Sequence, residues 1–411
     1  MHTMNSWVPT RDEAWRRLKG FLPRSADYNR ERNFDRGPRN RGNTSLLSPY
    51  LRHRLISEKE VCQTVLDGHS LTSVEKFIQE VIWRTYWKGW LQMRPVVWDN
   101  WIIQRDRDKV ALSEESQELL KKATSGTTEI ECFDEWSKEL VDNNYLHNHA
   151  RMWFASIWIF TLRLPWTLGA DFFLQHLADG DPASNTLGWR WVAGLQTPGK
   201  HYVARAENIK KYTAGRFDPG NSLEKDPQPL NGEPNPQPAE IHFPDPIISD
   251  PPIRGDGLWI TSDDLSLETL FPENHRFKSV VGSRPETTEK RIQEAAAVHE
   301  FRKSALEDSI NRFADSADCT PHIIAEHTPE AILSWAQSEG IQRVWLALPP
   351  VGPSAGPTRE TIHFLENNGL IVRLFSREWD RSLWPYARSG FFQFRKKSSR
   401  TLSSLITTDL S

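Results

Sequence analysis

A proline-rich stretch in the middle of the chain constrains the fold more than any other feature. Residues 218–252 contain ten of the 27 prolines in this sequence of 411 residues, in runs such as PQPLNGEPNPQP. Proline breaks helices and cannot donate a hydrogen bond to a β-ladder, so this stretch cannot form a regular element. We therefore predict a linker at 218–256 with a folded domain on each side of it, which suits a chain of this length.

The part before the linker, residues 1–217, has the pattern of an all-helical domain. Its apolar residues recur at helical spacing in several segments, and no alternating strand pattern occurs among them. The clearest segments are 10–21, 72–93, 113–123 and 131–143. Thr10 is placed to cap the first segment, and Ser48 followed by Pro49 is typical of another helix start. The charged residues 28–43 lack periodicity, which predicts a loop.

After the linker, strand patterns alternate with helix patterns, which favours a parallel sheet of the α/β class. The predicted strands are 257–264, 277–284, 321–326, 341–350 and 370–375. The predicted helices are about 287–313, 329–340 and 358–369. We predict a Rossmann-like α/β domain over 257–395 and a tail over 396–411. The sequence has no GxGxxG and no GxxxxGK[ST] motif, so it does not support a phosphate loop of either type.

Composition limits the class of protein. The formal net charge of −3 gives no global reason to expect a nucleic-acid binder, although the first 60 residues hold 13 Lys/Arg against 7 Asp/Glu. That excess indicates either a basic patch or a solvated N-terminus. The cysteines Cys62, Cys132 and Cys319 form no CxxC pair, which argues against disulfides, zinc or an iron–sulfur cluster. We expect no metal.

Targeting signals are also missing from the pattern. The N-terminus has no apolar signal-peptide core. The longest apolar run, residues 152–166, is interrupted by Arg163 and is too short to span a bilayer. We expect a cytoplasmic protein that does not enter a membrane.

Residues 144–191 combine groups that a plain core does not need. Asn148, Arg151 and Met152 fall at i, i+3 and i+4 and so share one helix face. Two acids, Asp179 and Asp181, follow a few turns later, ahead of an amide and two indoles. Buried charges are costly unless they are paired or bound to something, so this segment is the candidate site.

Three runs within this segment carry a family resemblance. They are HNxxRM (147–152), DGDxAxN (179–185) and GWxW (188–191). In order and spacing they resemble the FAD-binding helical domain of the DNA photolyase and cryptochrome superfamily. The resemblance extends upstream to TSLLS (44–48) and EVIWR (80–84) and covers roughly residues 28–217. It implies that the cofactor is FAD.

The resemblance also implies a set of FAD-binding residues. They are Tyr28, Thr44, Ser45, Leu46, Ser48, Phe77, Glu80, Arg84, Asn148, Arg151, Asp179, Asp181 and Asn185. Hydroxyls and N–H groups around Ser48 suit the diphosphate. Arg151 and Asp179 resemble the ion pair beside the flavin ring, and Asn185 the residue that faces flavin N5. The alternatives are that Ser48 only caps a helix and that the ion pair is only structural.

A second set implied by the resemblance belongs to the DNA lesion and comprises Glu80, Trp83, Asn148, Met152 and Trp191. Glu80 and Trp83 share a helix face, and in cyclobutane-dimer photolyases the matching residues contact the damaged pyrimidines and stack on them. Asn148 stands where photolyases of the pyrimidine–pyrimidone lesion carry a histidine, which favours a cyclobutane dimer. His149 departs from the family pattern because it replaces a usual arginine.

Two indoles resemble the family's electron-transfer chain. Trp189 and Trp166 match its first and second members, whereas the third position falls on Leu112. Another indole could take that place, and the alternative is that these tryptophans are only core. The order of the domains also departs from the family, because the α/β domain of usual members precedes the helical domain. We therefore expect a permuted arrangement, and no antenna chromophore or oligomeric state is predicted.

The implied function is FAD-dependent, blue-light-driven splitting of cyclobutane pyrimidine dimers, with damaged DNA as the partner. The main alternative is a cryptochrome-like photoreceptor or redox flavoprotein without repair activity. A third alternative is a helical interaction protein with a degenerate flavin site.

Overall fold

The computed structural model describes residues 7–271, 277–288 and 292–407. The part before the linker is helical, as predicted. Its helices are α1 (Arg11–Phe21), α2 (Tyr28–Glu31), α3 (Ser48–Arg52), α4 (Glu58–Gly68), α5 (Leu71–Gln92), α6 (Val96–Ala111), α7 (Glu114–Ser125), α8 (Glu131–Asn143), α9 (Asn148–Ser156), α10 (Trp166–His176), α11 (Pro182–Val192) and α12 (Ala206–Tyr212). A π-helical turn, Ile157–Thr161, continues α9.

The helix starts follow local chemistry with two corrections. Thr10 caps α1, since its side chain accepts a hydrogen bond from the backbone N–H of Glu13 at 3.2 Å. Ser48, however, is the first residue of α3 and not its cap, because the chain enters the helix one residue earlier, at Leu47. The predicted loop at 28–43 is also wrong at its start, where Tyr28–Glu31 forms one helical turn that packs on α5.

The linker crosses the surface of the helical part without forming a helix or strand beyond the short 3-10 turn Ile247–Ser249. Its backbone is nevertheless hydrogen-bonded. The N–H of Leu230 donates to the carbonyl of Ala193 at 2.9 Å, and the N–H of Ala239 donates to that of Met93 at 2.9 Å. These bonds hold the linker along the helices, although its proline content excludes a ladder of its own.

The second part contains a parallel five-stranded sheet, as the alternation of patterns predicts. The strands are β1 (Gly257–Ile260), β2 (Ser279–Gly282), β3 (Thr320–Ile323), β4 (Arg343–Ala347) and β5 (Ile371–Phe375), in the spatial order β3-β2-β1-β4-β5. The helices α13 (Ala296–Ala317), α14 (Pro329–Ser338) and α15 (Ala355–Asn367) connect the later strands. The predicted start of the first of these at 287 is wrong, since α13 begins at Ala296.

The chain returns to the helical part after β5. It forms α16 (Glu378–Leu383), the 3-10 turn Trp384–Tyr386 and α17 (Phe391–Thr407). The last helix packs against α4 and α5, and its Phe391 and Phe394 are buried there. Residues 396–407, which the sequence leaves as a tail, belong to α17, and residues 408–411 lie outside the described part. The domain limits themselves stay a prediction.

The two parts meet at the carboxyl ends of the strands. In doubly wound sheets, ligands bind in the crevice where the strand order reverses, here between β1 and β4. Arg54, which follows α3, reaches into this crevice and forms two hydrogen bonds to Asp380, at 2.6 and 2.7 Å. The remaining cavity is about 20 Å³. That volume admits a water molecule and is too small for a chromophore.

Candidate functional site

A cavity of about 600 Å³ lies among α3, α5, α9 and α11, within the range of protein sites for small molecules and cofactors. All side chains that the sequence analysis assigns to the cofactor or to the lesion line this one cavity. They are Tyr28, Thr44, Ser45, Leu46, Ser48, Phe77, Glu80, Trp83, Arg84, Asn148, Arg151, Met152, Asp179, Asp181, Asn185 and Trp191. Their roles stay predictions, but the structure brings these side chains together.

Arg151 and Asp179 form an ion pair at the cavity wall. Nη2 of Arg151 lies 2.9 Å from Oδ2 of Asp179, and its Nε donates to the carbonyl of Leu146 at 2.8 Å. The second carboxylate oxygen of Asp179 is buried and has no hydrogen-bond partner among the described residues. Buried polar atoms rarely stay unpaired, so this oxygen is available to a donor on a bound molecule.

Asp181 lies beside three basic side chains at one corner of the site. Its pKa is about 2: burial acts to raise it, but the neighbouring Lys88, Arg84 and Arg52 lower it further. Its Oδ1 accepts a hydrogen bond from the N–H of Ser184 at 2.8 Å, so Asp181 also caps α11. Of these three cations, Arg52 is also hydrogen-bonded to Asp263 at 3.0 Å, and Lys88 also neighbours Glu58.

Arg84 is the cation of this corner that lines the cavity. Its Nη2 is 3.8 Å from Asp181, too long for a hydrogen bond. Nε and Nη2 of Arg84 are buried without a hydrogen-bond partner among the described residues. A guanidinium left in this state is suited to a phosphate or to a carbonyl edge of a flavin ring.

Asn185 is held in a defined orientation. Its Nδ2 donates to the carbonyl of Ala170 at 2.8 Å, and its side chain is buried. One N–H of the amide is thereby used inside the protein and the amide plane is fixed, and the amide oxygen can accept from a molecule in the cavity. An acceptor at this position suits the N–H of a reduced flavin.

His147 is a cavity residue that the sequence analysis did not assign. Burial lowers its pKa to about 4, so the ring is neutral at pH 7. Its Nδ1 accepts a hydrogen bond from the N–H of His149 at 3.2 Å, so the proton of the neutral ring is on Nε2. Nε2 is buried and has no partner among the described residues. Its place beside Asn148 in the HNxxRM run could have indicated it.

Two groups assigned to the lesion already have partners from elsewhere in the chain. Glu80 forms a short ion pair with Arg32, the residue that follows α2. The ring of Trp83 stacks on Phe391 of α17, with centroids 3.6 Å apart and planes 8° from parallel. Phe392, the next residue, also lines the cavity. No local spacing links these residues, so the sequence could not indicate the contacts.

The tryptophans differ in their relation to the cavity. Trp189 lines it and is buried, whereas Trp166 is half-buried and is not among the lining residues. Trp158 contacts Trp189, with ring centroids 6.1 Å apart, and its Nε1 donates to the carbonyl of Pro165 at 2.9 Å. Trp158 therefore contacts both Trp189 and Pro165, the residue that precedes Trp166. The sequence analysis did not identify Trp158.

The unpaired polar atoms around the cavity test whether FAD suits the site. Besides those of Arg84, His147 and Asp179, the Oγ of Ser184 and the Nε1 of Trp189 are buried without a partner among the described residues. Such a set of donors and one acceptor fits a large aromatic ligand with polar edges and an anionic tail, as FAD is. The hydroxyl-bearing residues Thr44, Ser45 and Ser48 lie on the α3 side of the same cavity.

The described part of the chain contains no group of three or more His, Cys, Asp or Glu side chains placed to hold a metal ion. None of its helices combines the length and the apolar character that crossing a membrane requires.

Comparison with known proteins agrees with this geometry. Residues 77–223 match the sequence model of a family described as the FAD binding domain of DNA photolyase. The deoxyribodipyrimidine photo-lyase of Streptomyces griseus is 29% identical over 218 residues, which cover 50% of this chain and 46% of that protein. The deoxyribodipyrimidine photo-lyase of a Synechococcus species is 30% identical over 216 residues, which cover 50% of this chain and 43% of that protein.

Among solved structures, a bacterial class III photolyase from Agrobacterium tumefaciens aligns with a TM-score of 0.44 and 28% identity, over 51% of this chain and 43% of that one. The chain thus spans less than half the length of the relatives it matches. The match begins within α5 and ends in the linker, so it covers the motif runs and most of the cavity. Over residues 77–223 the helical part of this chain is thus similar to the FAD binding domain of DNA photolyase.

Proposed function

We propose that this protein is a flavoprotein that uses blue light to split cyclobutane pyrimidine dimers in DNA. The observation that carries the proposal is that one cavity is lined both by the residues suited to a flavin and by those suited to a lesion. Reduced FAD, if bound here and excited by light, would lend the dimer an electron and take it back once the ring has opened. The side chains of the cavity must therefore hold the ring, stabilise its negative charge and orient the lesion.

The cationic side of the cavity supports the first two tasks. Arg151 and Arg84 present guanidinium groups, and His147 presents an N–H from a neutral ring. Fixed donors in a buried site stabilise an anionic ring more strongly than water-exposed ones do, because the surroundings screen them less. Asp179 orients Arg151 through its ion pair, and Asn185 offers an acceptor.

The other side of the cavity supports the third task. Glu80 carries a carboxylate that can hydrogen-bond to a pyrimidine edge, with Asn148 and Met152 on the facing helix. Trp191 stacks on Tyr202, with centroids 5.6 Å apart, so its indole has a fixed plane. Stacking on such a ring offsets part of the cost of flipping the lesion out of a duplex.

A repair assay tests this proposal. Pre-reduced protein is illuminated with blue light in the presence of single- or double-stranded DNA with one thymine dimer, and a dark sample serves as the blank. We expect repair on at least one substrate. Glu80→Gln removes a charge-assisted hydrogen bond worth about 1.5–3 kcal/mol, so the repair yield should fall roughly 10- to 150-fold. Flavin absorbance should be unchanged.

Glu118→Gln is the matched control, since Glu118 is an exposed partner of Lys121 on α7. It should repair DNA as the unchanged protein does. If Glu80→Gln instead releases the flavin, Glu80 belongs to the cofactor and the lesion has been assigned to the wrong part of the cavity.

A light sensor without repair activity is the second candidate, and a specific observation favours it. Glu80 is already paired with Arg32, and one face of Trp83 is covered by Phe391, so two groups assigned to the lesion have partners within the protein. A flavin that is reduced under blue light, with no repair of either DNA substrate, would replace the repair proposal by this one.

A further inference from the structure

Helix α17 lies outside the family match and forms part of the cavity mouth. Its buried face holds Phe391, Phe394, Ser398 and Leu405 and packs on α4 and α5. Phe392 points the other way: it lines the cavity and is 77% exposed. A single exposed apolar residue is ordinary on a protein surface. An aromatic ring at the opening of a ligand cavity is available to whatever enters it.

The outer face of the same helix is basic. Between residues 388 and 407 the chain has five basic residues and no acidic one, although its overall net charge is −3. Arg395 is paired with Glu75. Lys396, Lys397 and Arg400 are exposed and form no ion pair with the described residues. Their charge is therefore available to a partner from solution.

The spacing aligns the aromatic ring with the charges. Phe392, Lys396 and Arg400 are four residues apart and so share one face of α17. At 1.5 Å per residue they span about 12 Å along the helix axis. The helix thus presents an aromatic ring at the cavity mouth and a row of cations leading away from it.

We propose that α17 is a DNA-docking element, an inference that rests on the proposed function. Lys396 and Arg400, with Lys397 beside them, bind successive phosphates of the strand that carries the lesion. Phe392 stacks on the base next to the flipped dimer. Phosphate contacts supply affinity and position, and base–aromatic stacking tolerates any sequence, as a repair protein requires. An anionic membrane fits less well, because the apolar face of α17 is already buried.

Dark binding measurements test the two contributions separately. The probe is fluorescently labelled single-stranded DNA with one central thymine dimer, titrated with the full-length flavin-bound protein at several salt concentrations. Lys396→Gln combined with Arg400→Gln should reduce the slope of log affinity against log salt by about 1.4, the value for two lost phosphate contacts on a single strand. Phe392→Ala should weaken binding about 5- to 150-fold and leave the slope unchanged.

The matched control replaces both Lys121 and Lys122 by Gln, because these exposed lysines lie on α7 rather than on α17. It should bind DNA as the unchanged protein does. If the α17 variants also bind with unchanged affinity and slope while the protein repairs DNA, the docking role is wrong and the proposed function stands.

The remaining outcomes are equally decisive. The unchanged protein could bind the lesion without repairing it, while the α17 variants show the expected losses of DNA binding. That result would support the docking role and exclude the repair function. Absence of DNA binding by the unchanged protein would overturn the docking role. The docking role would also be overturned if the protein bound phosphatidylserine vesicles and not DNA, and if the same substitutions abolished the vesicle binding.

Discussion

Arg54 provides the strongest test of how the two parts of this chain are held together. Its guanidinium forms two hydrogen bonds to Asp380 and lies 3.3 Å from carboxylate oxygens of Glu58 and Asp264. The side chains of Arg54 and Asp380 are 7% and 6% exposed. Asp264 also has two hydrogen bonds from Arg377, both at 2.6 Å. Asp380, with two hydrogen bonds from Arg54, and Glu58, with one, therefore depend on Arg54 more than Asp264 does.

Arg54→Met keeps much of the side-chain volume and removes the charge. Breaking a buried ion pair by deleting one partner costs about 3–5 kcal/mol, since the remaining charge stays desolvated. We expect the free energy of unfolding to fall by that amount. Adding Asp380→Leu removes the stranded charge as well, and replacing both members of a buried pair by apolar residues is often neutral or stabilising. The double variant should therefore recover part of the loss, because buried Glu58 still lacks its hydrogen bond from Arg54.

Urea unfolding followed by tryptophan fluorescence measures these differences, and proteolysis within residues 218–252 reports separation of the two parts. Lys121→Met is the control, because its partner Glu118 is 60% exposed and such pairs contribute under about 1 kcal/mol. If Arg54→Met costs no more than Lys121→Met, the ion network does not hold the parts together.

Two further predictions concern the cavity wall. Gly169→Ala places a methyl group 2.3 Å from a ring carbon of Trp189, whereas nothing lies within 4 Å of the same group at Gly20. Gly20→Ala is the control, because it brings the same gain in helix propensity. Relative to it, Gly169→Ala should destabilise the folded protein by about 1–3 kcal/mol and reduce flavin retention. Equal thermal stability of the two variants would refute the close contact. Because burial lowers the pKa of His147 to about 4, only the unfolded chain binds its proton between pH 6.5 and 4. This histidine should thus reduce stability as pH falls through that window, by about 3 kcal/mol at its lower end. His147→Gln should flatten the urea-unfolding profile there, and an unchanged profile would contradict the assignment.

The agreement between sequence and structure depends on how local each feature is. Thr10 caps α1 and the alternating patterns after residue 257 became a parallel sheet, because caps and periodicity act within a few residues. The motif runs are short and contiguous, so their side chains could be assigned to one site before any coordinates. Element boundaries follow the sequence less closely: α13 begins later than predicted, since weakly periodic residues do not fix a helix start.

The sequence alone thus determined the two fold classes, and it predicted a linker and a set of flavin-site residues whose side chains meet in one cavity. Tertiary structure decided what surrounds that site. Phe391 covers a face of Trp83, and Arg54 fills the crevice of the sheet. Arg32 is the partner of Glu80. The first two contacts join residues more than 200 positions apart, and all three arise when separate elements pack, so no local spacing in the chain records them.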